Sequence, residues 1–211
     1  MEDKQRIIVL APHTDDGELG CGGSIVKYIE EGHEVYYVTF SSCRESVPKG
    51  LPKNTLEVEV RAATKVLGID ENHLILFKYP VRHFWEHRQN ILEDMVKIQR
   101  KINPSLIFMP LHNDLHQDHQ IIANEGLRAF KKSSILAYEM PWNNISFRTE
   151  AFIKLNDSHI ERKIKALKEY KSQKSRTYIN EQFVRSLSYT RAVSVGAEYA
   201  EAFEVVRWII S

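Results

Sequence analysis

The chain has 211 residues, 43% of them hydrophobic, enough for one domain with a sizeable core. Its 29 basic and 28 acidic residues leave a net charge of +1, which excludes a nucleic-acid or polyanion footprint spread over a whole face and favours a small polar ligand. Two isolated cysteines, Cys21 and Cys43, exclude a disulfide framework or a cysteine zinc site, and the charged start MEDKQR before a short apolar run is expected of a cytoplasmic protein with neither signal peptide nor membrane span.

Residues 7–11, IIVLA, form an unbroken apolar run that suits a strand buried on both faces, as in a parallel sheet. Pro12 ends regular pairing, and just beyond it stand His13, Asp15, Asp16 and Glu18, all types that ligate metals or move protons. Gly17, Gly20, Gly22 and Gly23 then permit tight turning and close approach, with Cys21 filling space in this glycine loop. An amphipathic helix carrying Ile25 and Ile29 follows and ends at Gly32, and residues 35–40 read as a second strand. Residues 41–54, with two prolines and a glycine, form a loop long enough to suggest function. The spacing predicts a helix over Thr55–Leu67 closed by Gly68, a strand over 73–77, a polar and aromatic loop, a helix over 91–102 and a fourth strand over 105–110. Residues 121–130 and 161–173 read as helices, 135–140 as a strand, and 181–207 as a mixed segment that closes or covers the sheet edge. The expected architecture is a single α/β domain over 1–211, a Rossmann-like, mostly parallel sheet with helices on both faces.

Just after the fourth strand lies LHNDLHQDHQ, residues 111–120, the second dense cluster. In open α/β sheets ligands bind beyond the carboxyl ends of strands, so the two clusters are expected to face each other. In a helical turn His116 and His119 share one face, and His13 and Asp16 have the same spacing. A metal held by two histidines and one carboxylate takes a pair from one cluster and a single ligand from the other, leaving an open position as in catalytic zinc sites. Asp15 and the remaining histidine then form an acid/base pair beside bound water. Taken singly, the aspartates read equally well as a helix cap; the convergence of two clusters favours catalysis. His33, His73, His87 and His159 read as surface or helix-end histidines, and Phe84 and Trp85 as either core or sugar-stacking aromatics.

The stretches APHTDDGELGCGG and HQDHQ resemble the two signature motifs, (A/P)HxDDxExG and HxDH, of the LmbE-like (PIG-L) N-acetylglucosamine deacetylases, zinc hydrolases on a Rossmann-like fold. AATKVLGI, SLIFMP, ALKEYKSQ and GAEYAEAFE fall in that family's order, so the resemblance covers nearly the whole chain. It implies that His13, Asp16 and His119 bind one Zn²⁺, with Fe²⁺ as the other candidate occupant. It also implies that Asp15 is the general base, that a protonated His116 is the acid or oxyanion stabiliser, and that Asp118 orients His116. The implied substrate is a small N-acetylated sugar or glycoconjugate, with oligomeric state left open.

Family members often carry an arginine near the start of the helix before AATKVLG, where this chain has Leu56. Arg82 and then Arg44 are the expected replacement cations, with Trp85 beside them as a substrate contact. Two histidines and a carboxylate also suit a non-haem iron oxygenase, and a non-catalytic module could keep the same ligands. A dinucleotide-binding oxidoreductase is disfavoured because the glycines read GxxGxGG and acidic residues stand where a pyrophosphate would sit.

Overall fold

A computed structural model describes residues 4–210, so the ends of the domain expected over 1–211 lie outside the described residues. Its seven strands are β1 (Arg6–Ala11), β2 (Glu34–Thr39), β3 (Leu74–Leu76), β4 (Leu106–Met109), β5 (Ser134–Tyr138), β6 (Ala151–Leu155) and β7 (Tyr199–Arg207). They form one sheet in the order β3-β2-β1-β4-β5-β7-β6. The first five are parallel; β7 runs antiparallel to both β5 and β6. The order reverses between β1 and β4, and at such a switch point the outgoing connections diverge and open a crevice beyond the strand ends. The two residue clusters leave the sheet there.

Six helices cover the sheet: α1 (Asp16–Glu30), α2 (Thr55–Leu67), α3 (Arg88–Ile102), α4 (Gln117–Ala129), α5 (Asp157–Lys168) and α6 (Glu181–Val193). Alternation along β1 sends Ile7 and Val9 into a core shared with α1, α2, α5 and α6, while Ile8 and Leu10 enter a core shared with α3 and α4. Neither face of β1 meets water, which is why its sequence is apolar without alternation. No helix among the described residues is long and apolar enough to cross a membrane.

Two expectations are corrected. The glycines are not a loop before the first helix but part of it: α1 starts at Asp16, and only Cys21, at φ −146° and ψ 27°, leaves helical geometry. The glycines are there for proximity, since a Cβ on Gly17 would stand 2.5 Å from the Tyr37 ring and one on Gly20 2.5 Å from that of Tyr138. The groups freed by the break at Cys21 find partners in a buried ion pair. Gly23 N and Ser24 N donate to Glu201 at 3.0 and 2.7 Å, and Lys163 Nζ donates to Leu19 O and to Glu201, both at 2.7 Å. Removing either partner would strand a buried charge and reopen the helix end. The second correction concerns the C-terminal third. Residues 181–207 divide into α6 and β7, and β7 lies inside the sheet because β6, which the pattern of AFIKL did not announce, takes the edge.

Candidate metal centre and active site

The first cluster sits on the turn from β1 into α1. Asp16 Oδ2 accepts from His13 N at 2.8 Å, folding the turn so that the imidazole and the carboxylate meet. Asp15 occupies the N-cap position of α1, yet its side chain makes no capping hydrogen bond. The structural reading of Asp15 as a cap therefore fails, and its carboxylate is left to line the pocket. Glu18, the fourth acidic or basic residue of the stretch, is fully buried beneath the site and accepts from the Tyr37 and Tyr170 hydroxyls. It braces the turn and has no place in the pocket.

The second cluster caps α4. His116 is not in the helix but is its N-cap, in extended conformation, with Nδ1 accepting from Asp118 N at 3.2 Å. It still reaches His119, with ring centroids 5.0 Å apart and stacked, and it meets His13 edge-on at 4.6 Å.

His13 Nδ1, Asp16 Oδ2 and His119 Nε2 form a nearly equilateral triangle. Each nitrogen lies 3.2 Å from the oxygen, and the two nitrogens are 3.3 Å apart. A tetrahedral ion with bonds of about 2.0–2.1 Å needs neighbouring ligand atoms about 3.3–3.4 Å apart, so a zinc-sized cation fits. The opposite ring nitrogens are held by carboxylates: His13 Nε2 is 3.0 Å from Asp118 Oδ2, and His119 Nδ1 is 2.9 Å from Asp114 Oδ2. These contacts put the ring protons on the outer nitrogens and turn lone pairs inward, the usual support of metal-binding histidines.

Electrostatics agree with this geometry. Burial opposes charge on His119, but Asp16 and Asp114 outweigh it and raise its pKa to about 10. Burial likewise opposes charge on His13 and is overcome by Asp16 and Asp118, while Asp16 is held well below the usual carboxylate range by the two histidines despite its burial. The field at the centre of the triangle calls for positive charge, which a cation supplies. His13, His116 and Asp118 form a second close group. There, however, the Asp118 carboxylate already serves His13 and the backbone N–H of Arg82 at 2.6 Å, so the first triangle is the better ligand set.

Two expected roles change. The Asp118 carboxylate contacts His13, not the His116 imidazole, because α4 begins at His116 and turns the Asp118 side chain toward β1; only its main-chain N–H meets His116. His116 itself is not held protonated. Burial first, then His13 and His119, lower its pKa to about 4. The Asp15 carboxyl moves the other way, raised to about 6 by desolvation and by the adjacent Asp16.

Above the triangle opens a pocket of about 220 Å³ whose wall includes Asp15, Leu56, His116, Trp142, Arg176 and Tyr178. Leu56 does face the pocket, as the sequence comparison with arginine-bearing proteins led us to expect. Arg44, Arg82 and Trp85 do not line it. Arg44 points from an exposed turn, Arg82 is exposed at φ 68° and contributes its main-chain N–H, and Trp85 is 63% exposed. Phe84, in contrast, is core, fully buried against Tyr79 and His13. The sequence reading missed Asp114, Trp142, Arg176 and Tyr178. The first lay unremarked inside the second cluster, and the last two follow the marker ALKEYKSQ. Of the four histidines set aside, His159 is buried as half of a capping box with Asn156 and contacts Glu30 at 3.1 Å.

Sequence and fold comparisons point the same way. The uncharacterized deacetylase YaiS of Escherichia coli K12 is 27% identical over 173 residues, 80% of this chain and 92% of that protein. The diacetylchitobiose deacetylase of Thermococcus kodakarensis is 24% identical over 232 aligned positions, 97% of this chain and 84% of that one. The crystal structure of GalB, the 4-carboxy-2-hydroxymuconate hydratase of Pseudomonas putida KT2440, superposes with a TM-score of 0.81 at 17% identity, covering 98% of each chain. A hydratase on the same frame shows that the fold alone does not choose the reaction. Residues 8–130, which contain both clusters and more than half of the chain, match the PIG-L family, GlcNAc-PI de-N-acetylase, and the protein belongs to that LmbE-like family of deacetylases.

Proposed function

We propose that the protein is a zinc-dependent N-deacetylase that hydrolyses the acetamide of a small N-acetylated amino sugar, with His13, Asp16 and His119 as the metal ligands. The observation that carries this reading is the ligand triangle with Asp15 beside it, uncapped and raised to about 6. A zinc ion there would polarise the acetyl carbonyl and make bound water acidic. Asp15 is the general base: its pKa lies near working pH, and no capping bond occupies its oxygens. His116 is neutral at rest. Its Nδ1 accepts from Asp118 N, so its proton sits on Nε2, available as a donor to the oxyanion of the tetrahedral species. The proton taken by Asp15 is then delivered to the departing amine, directly or through His116.

The pocket supports a substrate of one sugar ring. Drug-sized ligands occupy roughly 300–1,000 Å³, and this cavity is smaller. Trp142 and Tyr178, stacked 4.1 Å apart, give it a flat aromatic wall of the kind that packs against a pyranose face. The test is release of free amine from a panel of N-acetylated monosaccharides by protein reconstituted with one Zn²⁺ per chain, in oxygen-free buffer. Turnover that is lost to a chelator and restored by zinc is expected. No amine from any panel member would leave a non-catalytic metal module as the account, and turnover only with Fe²⁺ and oxygen would favour an oxygenase.

A further inference from the structure

We propose that Arg176 is the specificity-determining residue of this site, and that it selects amino-sugar substrates bearing an acidic group, a carboxylate or a phosphate. The proposal deepens the deacetylase reading and rests on it for the identity of the reaction.

Arg176 lies in the segment between α5 and α6, at the pocket rim. Its Nε donates to Gln173 Oε1 at 2.5 Å, its Nη1 to the Tyr178 hydroxyl, and its guanidinium carbon is 5.7 Å from the centre of the Tyr178 ring. Tyr178 is itself held by stacking on Trp142, which leans on Phe183 at 5.9 Å. Behind Gln173 the support continues into the fold. Gln173 Nε2 donates to Ser172 Oγ at 3.0 Å, and Ser172 donates from N and Oγ to the Glu59 carboxylate at 2.8 and 2.6 Å. Glu59 is buried on α2. The head of Arg176 is thus fixed through three residues to a helix of the scaffold, an expensive arrangement for a side chain that would merely be solvated.

What Arg176 lacks is a carboxylate. Arg162, Arg185 and Arg191 each pair with glutamates, whereas Arg176 makes no ion pair within 4.0 Å among the described residues, and its Nη2 has no hydrogen-bond partner there. A clamped guanidinium with part of its donor fork unused is set up for an anion with two adjacent oxygens. The pocket wall also includes Leu56, which brings no charge to compete for that anion. The floor aspartates feel Arg176 at longer range, so the plain alternative is that Arg176 only tunes Asp15.

The two accounts separate on selectivity. Glucosamine, glucosamine 6-phosphate and muramic acid, whose lactyl ether carries a carboxylate, are titrated calorimetrically into zinc-loaded protein, and kcat/KM is measured for their N-acetyl forms. The expected result is at least tenfold preference for one acidic compound over glucosamine, and the arm that gives it identifies phosphate or carboxylate. Arg176→Gln should bring that ratio toward one, and Arg176→Lys, with charge but no fork, should retain part of it. Unchanged metal content in both variants establishes that they are folded. A wild-type ratio near one for both acids, or a ratio unaltered in Arg176→Gln because all compounds weaken together, would overturn the proposal. Binding is read without turnover, so failure of all three N-acetyl forms to react would count against the deacetylase reading while the selectivity result stood.

Discussion

The floor and the rim of the pocket are built by different kinds of chain. The floor comes from residues that leave β1 and β4 directly, and each ligand atom is fixed by short backbone or carboxylate contacts from within its own turn or the facing one. The rim comes from the loop after β5 and the segment after α5, whose side chains are held mainly by one another and are tied to the scaffold at Glu59. Sheet ends give the precision that chemistry needs, while loops can vary in what they recognise without disturbing it. The same frame carrying a hydratase in another protein fits that division.

If the floor is a metal site with a separate base, its parts should fail separately. Asp15→Asn is expected to keep about one metal per chain and lose roughly 10²–10⁴-fold in kcat, the usual range for a general base. Metal analysis beside kinetics checks this; loss of the metal would make Asp15 a ligand and redraw the floor. Asp114→Asn and Asp118→Asn act one step further out. Each disturbs the hydrogen bond that orients a ligand histidine, and each should weaken metal affinity about 10–100-fold, measured by competition with a chelator of known affinity. Unaltered affinity in both would mean that the histidines are held by packing alone.

The sequence made the floor legible because its chemistry is local. His13, Asp15 and Asp16 occupy one turn, His116 and His119 another, and the strands ahead of them are recognisable apolar runs. Thr55–Leu67 was readable to its last residue for a similar reason, an amphipathic repeat closed by Gly68 at φ 94°. Where the reading went wrong, the deciding partner was distant in sequence. The glycines looked like a loop because the rings of Tyr37 and Tyr138, which require them, lie outside the motif. AFIKL gave no strand signal because β6 is a short edge whose first four residues are not fully buried. Arg176 sits in the polar stretch YKSQKSRTY, with no periodicity to aim it, and only the chain reversal after α5 brings it to the pocket. Arg82 and Arg44 were nearer in sequence to strand ends and proved to point away.

Glu18 and Asp15 sharpen the comparison within a single turn. Burial raises the Glu18 carboxyl from its ordinary 4.5 to about 8, although Tyr37 and Tyr170 donate to it. The folded state therefore holds this proton more tightly than the unfolded one. Its stabilising contribution is full below about pH 4.5 and is lost as pH rises through about 8. Glu18→Gln keeps a neutral group throughout, so the variant should melt near the wild type at about pH 5 and a few degrees above it at about pH 9, at roughly 2–4 °C per kcal/mol for a chain of this size. An equal difference at both pH values would mean that the shift is not what separates them.

The smallest effect is expected at the root of the rim. Glu59 touches neither the floor nor the pocket, yet it accepts both hydrogen bonds from Ser172, and through Gln173 it fixes where the Arg176 head stands. Glu59→Gln keeps the shape and one acceptor but removes the charge that strengthens both bonds, so the 172–176 segment should loosen without the fold changing. The expected signature is a rise in KM for the acidic substrate of roughly three- to tenfold, a fraction of one charge-assisted hydrogen bond, with kcat retained. A residue that merely stabilised α2 would not divide the two parameters in this way, and Glu59→Asp, which restores the charge on a shorter arm, should recover part of the loss. If kcat falls together with the rise in KM, floor and rim are not independent, and the separation of chemistry from recognition does not hold for this protein.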